Sequence, residues 1–100
     1  MTIQSKQLDR DSKIIFLSGR LDTASSPAFE QKINELVDGT VDIIFDLKDL
    51  GYISSSGLHV LLLAQKTMSA NNRKLVIRNP SGSVKNVFDM TGFSKIVTLE

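Results

Sequence analysis

The sequence predicts an α/β fold, a single domain over residues 1–100 with a mixed, mostly parallel β-sheet packed with helices. Three observations carry this. Short runs rich in β-branched and aromatic residues alternate with segments whose apolar residues recur every three or four positions. Such alternation requires right-handed crossovers and hence parallel strands. The first two runs, at 2–7 and 13–17, are separated only by Asp9-Arg10-Asp11-Ser12, a spacing that makes an antiparallel hairpin and so adds one antiparallel edge.

The elements follow in order. Lys13-Ile14-Ile15-Phe16-Leu17 is a strand ended by Ser18-Gly19. Ala24, Phe29, Ile33, Leu36 and Val37 then fall at helical spacing, with Pro27 suited to a first helical turn and Ser25 or Ser26 placed as N-cap. Asp38-Gly39 closes that helix. Asp42-Ile43-Ile44-Phe45-Asp46-Leu47 is almost continuously apolar, as in a central parallel strand covered on both faces. A serine loop is expected beyond it, with a second helix starting near Ser56 or Gly57, striped by Leu58, Leu61, Leu62, Gln65 and Met68 and ended by Asn71-Asn72. Leu75-Val76-Ile77 is a short strand, Val84, Val87, Phe88 and Met90 mark a third helix stopped at Thr91-Gly92, and Ile96-Val97-Thr98-Leu99 is a last edge strand.

Composition excludes several function classes. The chain has 100 residues, 41% of them apolar and 23% charged, which suits one soluble globular domain. Cysteine is absent, so disulfides, a thiol nucleophile and thiolate metal ligands are excluded; His59 is the single histidine. Twelve basic and eleven acidic residues are interspersed, which does not form the concentrated positive face that nucleic acid requires. Arg73-Lys74 and Arg78 read as a solvated turn and strand end. Met1-Thr2-Ile3-Gln4 lacks the pattern of a signal peptide, and Val60-Leu61-Leu62-Leu63-Ala64 is too short to span a bilayer. A cytoplasmic protein without membrane insertion is expected.

Neither a phosphate loop with Lys-Ser or Lys-Thr nor Gly-x-Gly-x-x-Gly occurs, and no cofactor or metal is expected. Asp42, Asp46 and Asp49 could surround a magnesium ion but read better as solvated strand ends. A triad of Ser55, His59 and an aspartate would need a carbonyl-binding pocket that no motif marks. The unusual feature is Ile53-Ser54-Ser55-Ser56-Gly57-Leu58 at a strand-to-helix junction. Helix capping explains one of its serines. The functional alternative is a phosphorylatable site, where a phosphate would add roughly −1.5 to −2 charges and abolish binding to a partner without unfolding the domain. Gly57, with no side chain, would let the partner's backbone approach.

A resemblance bears on that choice. Gly19-Arg20-Leu21-Asp22, Asp46-Leu47-x-x-Leu50-x-Tyr52-Ile53, Ser55-Ser56-Gly57-Leu58 and Phe88-Asp89-Met90-Thr91-Gly92-Phe93-x-Lys95-Ile96 together resemble, over nearly the whole chain, the bacterial anti-sigma factor antagonists of the STAS domain family. The resemblance implies a non-enzymatic binding module. Its partners would be an anti-sigma factor with serine kinase activity, held by the unphosphorylated form, and a serine phosphatase that reverses the modification. It implies Ser55 as phosphoacceptor, with Asp22, Ser54, Ser56, Gly57, Leu58 and His59 at the partner surface. Two positions depart from the family pattern. Ser54 stands where the family has aspartate, which removes a negative charge, and His59 stands where it has glycine, which adds a bulky side chain. A STAS scaffold subunit without a switch, and more remotely a small hydrolase using Ser55, are the competing readings.

Overall fold

The computed structural model describes residues 1–100 and contains the elements in the predicted order. They are β1 (Thr2–Asp9), β2 (Ser12–Leu21), α1 (Ser26–Leu36), β3 (Asp42–Ile53), α2 (Ser55–Ala70), β4 (Leu75–Arg78), α3 (Gly82–Thr91) and β5 (Thr98–Leu99), with a 3-10 turn at Phe93–Lys95 before the last strand. The five strands lie side by side in sequence order. β1 pairs antiparallel with β2, and every later pair is parallel.

That strand order corrects one expectation. When each right-handed crossover moves to the next strand in the same direction, every crossover helix falls on the same face of the sheet. One core results, built from Phe29 and Ile33 of α1, Leu61 and Met68 of α2, Val84 and Phe88 of α3, and the strand residues Ile15, Leu17, Phe45, Leu47, Leu75 and Ile77. Burying each large side chain of this kind contributes roughly 1.5–3 kcal/mol. The alternate residues Ile44 and Asp46 of β3 and Val76 of β4 point to the other face and are only half-buried, and Phe16 beside them is exposed. β3 is therefore covered on one face, not on two.

β3 is also longer than its apolar run suggests. Its register against β2 slips twice, between the Phe16–Asp46 and Ser18–Asp49 pairs and between the Gly19–Leu50 and Arg20–Tyr52 pairs. Each slip inserts one extra residue in β3, so the buried residues Leu47, Leu50 and Ile53 come every third position instead of every second. The strand thus continues through Lys48-Asp49 and delivers Ile53 opposite Leu21 at the far end of β2.

The helix ends obey local chemistry. Gly92 closes α3 in the left-handed region at φ +83°, and Phe93 then folds back so that its ring lies 4.9 Å from that of Phe88. α1 stops at Leu36, before the expected Asp38-Gly39, because Val37 is already extended. Arg73 pairs with Asp42 at 3.9 Å and Arg78 with Glu100 at 2.7 Å, so two of the cations assigned to a solvated turn and strand end are neutralised locally. Asp42 and Asp46 separately accept backbone N–H groups, from Lys74 and Lys48. No helix is long and apolar enough to cross a membrane.

Candidate functional site

The site forms where β2 and β3 end together. Leu21 and Ile53 are paired in register, so the residues that follow them, Asp22 and Ser54, leave the sheet side by side. The Ser54 N–H donates to the Leu21 carbonyl at 2.8 Å, which ties the two exits together.

Ser54 is the N-cap of α2. Its backbone is extended (φ −87°, ψ 170°), its Oγ accepts the Gly57 N–H at 3.2 Å, and its carbonyl accepts the Leu58 N–H at 2.9 Å. Capping is what the serine run minimally requires, and Ser54 performs it from a buried position, 7% exposed. The helix consequently starts at Ser55, one or two residues earlier than the sequence suggests. Aspartate is an equally good N-cap, so serine fills this position as a neutral cap.

The remaining residues of the run divide by helical geometry. Ser55, in the first helical position, is exposed; Ser56 is half-buried; Gly57 is buried. Gly57 has a role inside the domain. A Cβ on Gly57 would lie 2.5 Å from Leu21 Cγ and 3.2 Å from Ile53 Cγ1, so the missing side chain makes room for the domain's own core. Leu61 is fully buried, whereas Leu58 and Leu62 are half-buried at the margin of the core. His59, one turn beyond Ser55, is exposed.

Ser55 and His59 form a crest between two grooves. The first, about 530 Å³, runs between α1 and α2 and is lined on the α1 side by Thr23, Ser26, Pro27 and Glu30. The second, about 340 Å³, separates α2 from the C-terminal corner and is lined by Leu58 and Leu62 on one side and Thr91, Gly92, Phe93 and Ile96 on the other. Ser55 and His59 line both. The first groove is lined mostly by polar residues, and half of the residues lining the second are hydrophobic, so a partner gripping the crest meets more hydrogen-bonding groups on one flank and more hydrocarbon on the other.

Asp22 lines neither groove. It shapes the turn into α1 through a reciprocal pair of bonds with Ser25: the Asp22 N–H donates to Ser25 Oγ and the Ser25 N–H donates to Asp22 Oδ1, both at 3.0 Å. Ser26 Oγ donates to the Asp22 carbonyl at 2.6 Å. The backbone N–H of Ser25 holds the Asp22 carboxyl below its ordinary pKa, reinforced by the Ser25 hydroxyl and, more weakly, by the Arg20 charge. Ser25 holds the N-cap position of α1, as the sequence predicts, but makes no side-chain cap bond there; the carboxylate that accepts an N–H at this entrance is that of Asp22. Arg20 itself lies over the Tyr52 ring at 4.3 Å, a cation–π contact across β2 and β3 beside this turn.

Two walls of the site escaped the sequence reading. Ser26, Pro27 and Glu30 sit at helical spacing on α1, but nothing in the sequence says that this face looks toward α2. Phe93 and Ile96 join the second groove because the 3-10 turn bends the chain back, and Gln65 Nε2 donates to the Ile96 carbonyl at 3.0 Å to hold that corner against α2.

Comparison with known proteins agrees with this geometry. The STAS domain family model matches residues 2–100. The anti-sigma-B factor antagonist of Bacillus subtilis is 27% identical over 99 residues, covering 99% of this chain and 90% of the relative. That of Listeria monocytogenes is 28% identical over 102 residues, covering 100% and 89%. Among solved structures, the anti-sigma factor antagonist SpoIIAA in its unphosphorylated form superposes with a TM-score of 0.83 at 26% identity, covering 99% of this chain and 88% of that one. The phosphorylated form of SpoIIAA, described as a Bacillus cell fate determinant, gives 0.76 at 25% identity, covering 99% and 91%. A match of the family model over residues 2–100, nearly the entire sequence, means that this chain belongs to the STAS domain family.

Proposed function

We propose that this protein is an anti-sigma factor antagonist switched by phosphorylation of Ser55. Unphosphorylated, it holds an anti-sigma factor that carries serine kinase activity, and a sigma factor is thereby freed. The kinase ends the association by transferring the γ-phosphoryl group of ATP to Ser55 Oγ; the hydroxyl proton passes to a base of the kinase and ADP leaves. A serine phosphatase hydrolyses the ester with water, which restores the hydroxyl and releases phosphate. This chain contributes a surface and a substrate hydroxyl and performs no chemistry. The reading locates it in the cytoplasm, where an ATP-dependent kinase operates.

The observation that carries the reading is the exposure of Ser55 on the crest between two grooves, while Ser54 is committed to the cap and Ser56 lines only the polar groove. A partner covering the crest desolvates Ser55. A phosphate there adds roughly −1.5 to −2 charges, and an unmatched charge buried at an interface is strongly unfavourable. Loss of about 3–4 kcal/mol lowers affinity by two to three orders of magnitude, since each 1.4 kcal/mol is tenfold. Leu58 and His59 belong to the proposed contact directly. Asp22, Ser54 and Gly57 support it by fixing the strand exits and the first turn of α2.

Calorimetry with the anti-sigma factor kinase of the same organism tests the proposal. The native chain and Ser55→Ala are expected to bind, and Ser55→Asp to bind at least a hundredfold more weakly with unchanged thermal stability. Equal affinities for Ser55→Ala and Ser55→Asp would argue for a scaffold subunit without a switch.

A further inference from the structure

His59 stands on the same face of α2 as Ser55, four residues on, where side chains on a helix meet at about 5–6 Å between Cβ atoms. Of the side chains lining the two grooves that flank Ser55, His59 is the single one able to carry a positive charge. Among the first-turn amides the Gly57 N–H is taken by Ser54 Oγ and the Leu58 N–H by the Ser54 carbonyl, which leaves those of Ser55 and Ser56 as neutral donors and His59 as the side chain that can bring charge. Resting on the reading of Ser55 as phosphoacceptor, we propose that His59 is the intramolecular partner of that phosphate, its imidazolium closing over phosphoserine 55 and holding it on the crest.

The surrounding charges favour this arrangement. From α1, the titratable group facing His59 is Glu30, across the polar groove. From the C-terminal corner, Thr91, Gly92, Phe93 and Ile96 face it and none is charged. On its own helix the nearest cation is Lys66, two turns along and exposed. Glu30 carries the same sign of charge as the phosphate, so a phosphate turned toward α1 is disfavoured. A phosphoserine's second ionisation falls near pH 6 and an imidazole titrates in the same region, so the two ionise as a coupled pair. Each should stabilise the charged form of the other: the imidazole loses its proton at higher pH, and the phosphate at lower pH, than either would alone. Even so paired, the phosphate leaves about one net negative charge on the crest, still unmatched at an interface, and that charge changes across the neutral range.

The test uses the full chain with phosphoserine installed at position 55 during translation. Because His59 is the only histidine, its ring protons give one resolvable NMR titration. We expect its midpoint in the phosphorylated chain to lie about half a unit or more above that in the unphosphorylated chain, as an adjacent (i, i+4) dianion should produce. Reciprocally, the phosphorus resonance should titrate at higher pH in His59→Gln than in the chain that retains the imidazole. A smaller rise, or a phosphorus titration unaffected by His59→Gln, overturns the proposal. The result does not depend on any kinase. Failure of a kinase to modify Ser55 would remove the switch while leaving this titration as it is, so the two claims fail separately.

Discussion

Gly57 lies against Leu21 so closely that a Cβ on the glycine would come within 2.5 Å of Leu21 Cγ. Leu21 is completely buried and cannot swing away without opening the core. Gly57→Ala is therefore expected to destabilise the fold by about 1–3 kcal/mol, the usual cost of overpacking, read as a lower urea midpoint. An alanine variant as stable as the native chain would show that the glycine serves the surface and not the core.

Ser54 makes a different kind of contribution. Its Oγ caps α2 at the Gly57 N–H, so Ser54→Ala should lose about 1 kcal/mol, while Ser54→Asp should retain most of the native stability. Chemical denaturation of both variants checks this. Equal losses from the two substitutions would mean that the cap bond contributes nothing.

The Asp22 carboxyl is held below its ordinary pKa chiefly by the Ser25 N–H. Its folded value is thus lower than its unfolded one. The stability it contributes is present above the unfolded pKa and disappears as pH falls through the folded pKa. Asp22→Asn should therefore flatten the acid limb of the stability–pH curve and leave its neutral-to-alkaline shape unchanged. Asp9, Asp38 and Asp89 are lowered in the same way by local bonds, so the limb should flatten in part and not vanish. A carboxyl titration of Asp22 at or above its ordinary value would contradict the turn geometry.

These residues also show how much was legible beforehand. Element order, the hairpin and the third helix with its Gly92 stop follow from apolar period and turn residues. The end of β3 does not. Two bulges turn its burial period from two to three, so Lys48 to Ile53 lack the alternation by which a strand is recognised. The expected second cover of β3 is absent because a sheet of sequential strands carries all its helices on one face, and a run such as Ile43-Ile44-Phe45 does not reveal strand order. At the site, the serine run and His59 were visible as residues, but their separation into buried cap, exposed crest and core spacer depends on the helix starting at Ser55. The α1 wall with Glu30 and the corner with Phe93 and Ile96 are products of tertiary packing and have no local signature.

The grooves make a prediction about partner affinity. Ile96 is 48% exposed and reaches the apolar groove, while only its backbone carbonyl holds Gln65. Ile96→Ser should keep thermal stability near native and weaken partner binding about fivefold, in line with roughly 1 kcal/mol of lost apolar contact. His59→Asp, which places a permanent negative charge on the crest, should weaken binding more, again with little change in stability. Calorimetric affinities equal to native for both would remove the crest and its apolar flank from the interface.

The central claim is that Ser55 is the acceptor, and phosphopeptide mass spectrometry after reaction of the native chain with ATP and the anti-sigma factor kinase proposed as its partner tests it most directly. The account predicts one phosphate per chain, on Ser55, with modification abolished in Ser55→Ala and retained in Ser56→Ala. It also predicts no phosphate on Ser54, whose hydroxyl is buried in the cap. Phosphate found on Ser54 or Ser56 alone, or no phosphate anywhere on the chain, would contradict it.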